Sequence, residues 1–457
     1  MHRFHPTALR EYDIRGIVGT TLSTADALAL GRSFGTIISR AGGSRVAVGF
    51  DGRASSPGFA DAVVAGLNAS AITAVTVGLG PTPMLYYAVH ELGCDGGVMV
   101  TGSHNPPDYN GFKLLLAARP FYGADIQALG AIAAAGDWVD GNAGVEHVDL
   151  IDRYVDRLVH GLEARPFTIA WDAGNGAAGP VVERLVKRLP GTHHLLFTDV
   201  DPTFPNHHPD PTEEKNLTDL KRVVLERECD FGVAFDGDGD RLGAVDGQAR
   251  VVWGDQLLSI LAVPVLAALP GATIIADVKA SAMLFDRIAE LGGVPLMVKT
   301  GHSLIKAKMQ ETGAPLAGEM SGHIFFAHEW YGFDDGLYAA VRLIAAIGEA
   351  GISLAALKNA MPRLVNTPEL RFQSSDDRKF AVVAEVLSRL RADGARIDET
   401  DGARVTTADG WWLLRASNTQ DVLVARAEAA DEAGLVRLMH ELNTALAASG
   451  VAAVTDC

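Results

Sequence analysis

Along most of this chain, short apolar runs alternate with stretches in which apolar residues recur at helical spacing, a pattern that predicts βαβ units. Three times an apolar run ends in Asp and opens into a turn with a helix-like segment: RVAVGFDGRASSP (45–57), FTIAWDAGNGAAGP (167–180) and ATIIADVKASAML (272–284). Three times, a few tens of residues later, a second apolar run ends in a polar loop: GGVMVTGSHNP (96–106), FGVAFDGDGDR (231–241) and PLAGEMSGH (315–323). Loops at the carboxyl ends of strands are where α/β folds place ligands. The repetition predicts three similar α/β domains with mixed sheets, over 1–148, 149–250 and 251–361. Beyond Pro362 the rhythm changes to LVNTPELRFQ, a helix-like 377–392, strand-like GWWLLRASN and DVLVARAEA, and an amphipathic helix over 430–448. This predicts a fourth domain, 362–457, of α+β type.

One apolar stretch could be mistaken for a membrane span. No charge falls between Asp255 and Asp277, but Pro264 and Pro270-Gly271 interrupt it, so a buried helix, a turn and a strand are expected. The opening MHRFHPTALREYDIRG has no apolar leader, so no secretory signal and no membrane attachment are expected. A length of 457 residues is enough for several separate cores. The formal charge of −17 repels a phosphate backbone, which argues against nucleic acid as a partner and requires a local basic pocket for any anionic ligand. Cys94, Cys229 and Cys457 match neither a disulfide framework nor a zinc set; a reducing cytoplasm fits.

The loops carry the chemistry. DGDGDR places Asp236, Asp238 and Asp240 at alternate positions after a strand, three hard oxygen donors able to converge on one divalent cation. An EF-hand shares that spacing but requires Gly and Glu where this chain has Arg241 and Gly247. TGSHNP offers Ser103 with His104 beside it in a turn-forming context, and adjacency alone defines no triad. GNGAAG, with Gly174, Gly176 and Gly179 after a strand and Asp199 further on, formally matches a dinucleotide fingerprint. The equivalent turns DGRASSP and DVKASAM lack such glycines, which favours a shared βα turn over a pyrophosphate cradle. RASNT (415–419) joins a guanidinium, two hydroxyls and an amide in a turn suited to a phosphate.

Taken together and in this order, TGSHNP, DGDGDR, GEMSGH and RASNT resemble the phosphoserine, magnesium, sugar and phosphate loops of the α-D-phosphohexomutase family, and within it the bacterial phosphomannomutase/phosphoglucomutases. The resemblance runs from EYDIRG to RASNT and implies four domains, the first three alike, around a central cleft. It implies reversible phosphoryl transfer between C1 and C6 of a hexose phosphate. Ser103 would be the phosphorylated residue, and a hexose 1,6-bisphosphate the intermediate and activator. Mg²⁺ would be held by Asp236, Asp238, Asp240 and the Ser103 phosphate, with Arg241 adding positive charge. Glu319 and Ser321 would bind the sugar 3- and 4-hydroxyls, which glucose and mannose share, and Arg415, Ser417, Asn418 and Thr419 the non-reacting phosphate. Tyr12, Arg15, His104, Lys279 and His302 would surround the cleft, with Lys113 and His323 as proton carriers or charge-balancing groups.

Met320 within GEMSGH resembles the hexose-using enzymes; phosphoglucosamine mutases usually have Gln there and glucose-restricted enzymes Glu. Phosphoglucosamine mutase is therefore the nearest alternative. An oxidoreductase using GNGAAG and a non-catalytic cation or sugar-phosphate binding protein are the others. Related bacterial enzymes are often monomers, and a monomer is expected.

Overall fold

The structure, a computed structural model, describes residues 1–117, 119–418 and 420–452, the side chain of Asp376 excepted. Its first three units repeat one strand arrangement. In the first, Arg45–Phe50 lies parallel to Thr73–Leu79 on one side and to Gly96–Val100 on the other, and Tyr109–Leu116 runs antiparallel to Gly96–Val100. In the second, Phe167–Asp172 takes the central place, flanked by Gly191–Leu196 and Phe231–Phe235, with Leu242–Asp246 antiparallel. In the third, Thr273–Asp277 is flanked by Val294–Val298 and Leu316–Gly318, with Ile324–Phe326 antiparallel.

That order decides where the loops go. In each unit the third parallel strand turns directly into its antiparallel neighbour, so the connecting loop emerges at the carboxyl end of the sheet. TGSHNP, DGDGDR and GEMSGH occupy that one position three times. The Asp that ends each central strand adds a second common feature. Asp51 accepts from the Gly102 backbone N–H at 3.0 Å and Asp277 from that of Met320 at 3.1 Å, each joining its strand end to the neighbouring loop. Asp172 instead accepts from the Gly174 N–H at 2.9 Å and pairs with His207 at 3.0 Å.

The first sheet carries two edge strands that the sequence pattern did not announce. Ile14–Ile17 pairs antiparallel with Tyr109–Leu116, which brings EYDIRG to the loop end, and Val145–His147 closes the opposite edge. The uncharged stretch forms the helix Gly254–Ala268, with Pro264 inside it, followed by the strand Thr273–Asp277. Leu257, Leu261 and Val265 on that helix are buried with Trp171 and Phe235 of the second unit and Leu85 and Tyr87 of the first. The first three units thus share a continuous core. Among the described residues no helix is long and apolar enough to cross a membrane.

The fourth unit stands apart. An antiparallel sheet of Ala403–Thr406, Gly410–Ala416 and Val422–Ala429, with shorter strands beside it, packs one face against helices Asp376–Ala392 and Glu432–Ala447. Alternation sends Trp412, Leu414 and Ala416 into that core with Val382, Val386, Leu438 and Leu442. The intervening Trp411 and Leu413 face the third unit and bury Val278. This junction is far smaller than the core shared by the other three.

Asp335 gives the fold a measurable pH dependence. It caps helix Gly336–Ala350, accepting from the Tyr338 N–H at 2.9 Å and the Tyr154 hydroxyl at 2.7 Å, and burial pushes its carboxyl up to about 7. The unfolded carboxyl releases its proton near its usual value of about 3.9, before the folded one does, so stability falls as pH rises from about 4 through about 7. Asp335→Asn, which mimics the neutral acid, should remove this slope of up to about 1.4 kcal/mol per pH unit. Urea midpoints of both proteins at pH 5 and pH 8 check it: the variant should gain relative to the wild type on going to pH 8.

Candidate active site

Ser103 is buried and holds a left-handed backbone with φ of 49°, costly for a serine unless its surroundings impose it. Arg53 imposes it. Its guanidinium donates to the carbonyls of Ser103 at 2.8 Å, Asn105 at 2.6 Å, Pro106 at 2.6 Å and Tyr109 at 2.9 Å. Asp51 holds the same loop through the Thr101 hydroxyl at 2.8 Å and lies 3.3 Å from Arg53 Nε. Gly102 is required because a Cβ there would stand 2.3 Å from Arg53 Nε. The result aims Ser103 Oγ at Asp236 Oδ2, 3.1 Å away, with His104 Nδ1 at 3.2 Å. Burial, followed by Arg241 and Arg15 nearby, holds His104 well below the usual imidazole range.

Asp236, Asp238 and Asp240 are fully buried, and oxygens from all three lie within 4.8 Å of one another. Gly237 permits the approach, since a Cβ there would come within 2.4 Å of the Ser103 carbonyl oxygen. Burial and then the other two carboxylates push Asp236 well above the ordinary carboxylate range. Lys113 Nζ bridges Asp238 at 2.8 Å and Asp240, and the Thr82 hydroxyl also donates to Asp238. Buried Oδ1 atoms of Asp238 and Asp240 have no hydrogen-bond partner. Hard, anionic, under-satisfied oxygens in this number fit a divalent cation. Burial opposes a charge on Lys113, but Asp238 and Asp240 outweigh it and raise its pKa well above the usual value. In this arrangement the Lys113 ammonium balances the charge of Asp238 and Asp240.

Arg241 and His323 join the DGDGDR and GEMSGH loops, Arg241 Nε donating to His323 Nε2 at 3.0 Å. The other ring nitrogen of His323 lies 3.0 Å from Asp334 and 3.5 Å from Asp240. Asp334 is also bound by Lys306 at 2.8 Å, and His302 stacks on His323 with ring centroids 5.5 Å apart. Burial and then Lys306 lower His302 well below its usual range.

Glu319 is buried and accepts from the Gly301 N–H at 2.7 Å; burial raises its pKa and His323 opposes the rise. Ser321 lies half-buried on the same loop. Tyr12 ties three units together, donating to the Thr300 carbonyl at 3.0 Å and accepting from Asn418 Nδ2 at 2.7 Å. Burial pushes the Tyr12 hydroxyl up to about 12. Arg415 pairs with Asp401 at 2.7 Å, Lys279 with Glu369 at 3.1 Å, and Arg15 with Asp13. Ser417 is buried at the start of the turn, its N–H bonded to the Val422 carbonyl at 3.0 Å; Thr419 lies outside the described residues. Direct contacts therefore link TGSHNP to DGDGDR, DGDGDR to GEMSGH, and RASNT to Tyr12.

The glycines of GNGAAG have another use. A Cβ on Gly176 would meet the Gly237 carbonyl oxygen at 2.8 Å, and one on Gly179 that of Thr198 at 1.9 Å. Gly176 thus lets the turn pack against the acidic loop and Gly179 against the backbone at Thr198, so both glycines serve close packing of protein on protein.

Sequence reasoning passed over Asp51, Arg53, Thr82, Lys306 and Asp334. Asp51 carried a signal, since it stands where Asp172 and Asp277 stand in the repeat. Arg53, Lys306 and Asp334 gave none, because their partners lie far along the chain or are backbone carbonyls.

Family profiles described as phosphoglucomutase/phosphomannomutase, alpha/beta/alpha domains I, II and III, match residues 6–139, 152–249 and 253–364, and that of the C-terminal domain matches 365–445. The chain belongs to this family of four-domain phosphohexomutases. It is 44% identical to a phosphomannomutase/phosphoglucomutase of Pseudomonas putida, over 96% of this chain and 95% of that one. It is 42% identical to a phosphoglucomutase of Neisseria meningitidis, over 96% of each. A crystal structure of a phosphoglucomutase/phosphomannomutase family protein from Burkholderia thailandensis superposes with a TM-score of 0.93 at 43% identity, covering 98% of both chains. The chain is accordingly an enzyme of the hexose phosphate mutase type.

Arg53→Met tests how the Ser103 loop is held. It leaves Asp51 buried without its cation and removes four carbonyl contacts. Denaturant titration should show a loss of about 3–5 kcal/mol. Mutase activity should fall more steeply than the folded fraction at the assay temperature.

Proposed function

We propose that the enzyme interconverts the 1- and 6-phosphates of mannose and glucose through a phosphoserine at Ser103 and a hexose 1,6-bisphosphate that turns over in the cleft. The observation that carries this reading is Ser103 Oγ, 3.1 Å from Asp236, on a loop whose backbone Arg53 fixes. A serine phosphate ester and the two sugar phosphates are of similar energy, so exchange among them runs both ways. The phosphoryl group leaves Ser103 Oγ for the free sugar hydroxyl, and Ser103 then takes the other phosphate back.

Mg²⁺, held by Asp236, Asp238, Asp240 and the phosphoserine, would neutralise charge on the transferring group. Arg241 adds a second positive charge beside Asp236, 3.8 Å away. His323 takes the proton of the attacking hydroxyl at Nε2 once Arg241, which donates to that nitrogen, turns to the phosphoryl group, while Lys113 remains the ammonium that compensates the acidic loop. Glu319 and Ser321 orient the sugar through its 3- and 4-hydroxyls. Arg415, Ser417, Asn418 and Thr419 hold the non-reacting phosphate, with Tyr12, Arg15, His104, Lys279 and His302 around it. Arg415 and Lys279 then exchange Asp401 and Glu369 for substrate. Met320, between the two sugar ligands, favours hexose over glucosamine phosphate. All four loops come from one polypeptide, which supports a monomer. The free, buried Cys94 and Cys229 suit a reducing cytoplasm.

Peptide mapping of the purified protein should find phosphate on Ser103, and Ser103→Ala should lose most activity in a coupled assay with glucose 1-phosphate and mannose 1-phosphate. An active preparation phosphorylated elsewhere would overturn the assignment.

Arg415→Ala removes charge-assisted bonds of about 1.5–3 kcal/mol and should lower kcat/KM about tenfold to a hundredfold. Either end of the sugar presents the non-reacting phosphate, so the loss should appear in both directions and with both sugars. A defect confined to one direction would mean that RASNT reads something else.

A further inference from the structure

The face of the fourth sheet that looks toward the third unit is as buried as its core face, yet it carries charged side chains. The register places Arg404 beside Leu413 and Leu413 beside Arg426, with Trp411 opposite Glu428. Arg404, Arg426 and Glu428 are all at most 5% exposed. Buried charges of this kind require specific partners. The partners here are the main chain of a single turn in the third unit. Arg404 donates to the carbonyls of Val278 at 2.5 Å and Ala280 at 2.9 Å, and Arg426 to the carbonyl of Lys279. Glu428 accepts from the Ala282 N–H at 3.0 Å and from Trp411 Nε1 at 2.8 Å, and the Arg404 guanidinium lies 3.7 Å from the Trp411 ring centroid. Three successive carbonyls, 278–280, are thus held by the fourth unit.

The middle residue of that turn is Lys279, and its side chain also reaches the fourth unit, at Glu369. Few bonds tie the turn to its own unit: Val278 N–H to the Val298 carbonyl at 2.9 Å, Ala280 N–H to that of Asp277 at 3.0 Å, and Ser281 N–H to Asp255 at 2.9 Å. We infer that Arg404, with Arg426, is a positioning residue: it fixes the Lys279 turn to the phosphate-binding unit, so that Lys279 and Arg415 approach the sugar phosphate as one body. Arg415 lies on the same face of the same sheet, two residues beyond Leu413. Two cations that must grip one anion gain from a fixed separation, because the ordering cost is met during folding and not on binding. Burial depresses the Arg404 guanidinium to about 10, against the pull of Glu428.

The inference rests on the reading that Lys279 contacts substrate, and a double-mutant cycle separates the two. Arg404→Lys keeps the charge but loses the planar guanidinium that lies on the Trp411 ring and carries Nη1, the one nitrogen bonded to both carbonyls. It should lower kcat/KM about tenfold when Lys279 is present and less than twofold in a Lys279→Ala background. Most of the loss should fall on KM, with Arg426→Lys behaving alike. Equal factors in both backgrounds, or no effect in the wild type, would overturn the positioning role. Full activity of Lys279→Ala would instead overturn the reading of Lys279 itself. If Arg404→Lys does not fold, the Arg426→Lys cycle decides by the same criterion.

Discussion

Three carboxylates cannot share a dry space a few ångströms across without compensating positive charge, and the cleft is organised around that restriction. Asp236, Asp238 and Asp240 are fully buried within reach of one another, and Lys113 and Arg241 stand against them. The same restriction extends outward: His323 lies between Asp240 and Asp334, and Asp334 in turn between His323 and Lys306. The result is an alternating lattice of buried charges in which each group depends on the next.

The repeated sheet explains how residues so far apart in sequence reach one another. Each of the first three units delivers one loop at the same point of the same strand order, so three copies facing a common centre place three loops together. A shared core fixes those units relative to each other. The fourth unit has a core of its own and meets the third through Val278, Trp411 and Leu413 together with the buried arginines. A broad apolar junction joins the first three units, and a narrower one, part apolar and part charged, joins the fourth.

Much of this was legible in the chain. The strand and loop alternation, the change of rhythm after Pro362 and the Asp-x-Asp-x-Asp spacing each follow from local pattern; the uncharged stretch after Asp255 became a helix, a turn and a strand as expected, but it divides at Pro270-Gly271 and Pro264 lies within the helix. The edge strands Ile14–Ile17 and Val145–His147 were not foreseen, because short strands at a sheet margin owe their form to the neighbour they pair with. Within the site, loop residues were visible because turn chemistry marks them. Arg53, Lys306, Asp334 and Arg404 were not, because each acts on groups brought near only by the completed fold. GNGAAG shows the converse: a fingerprint in sequence whose glycines make room for protein backbone.

The Ser103 loop and the Lys279 turn are both gripped by arginines through peptide carbonyls. A carbonyl is present whatever side chain its residue bears, so these grips do not themselves select the side chains of the residues they hold. Half-buried Asn105 can therefore vary without displacing Ser103, provided that the backbone path survives, whereas Gly102 is held by its contact with Arg53 and Ala280 by the core around it. A lineage can thus drift through variants at such positions while Ser103 stays in register.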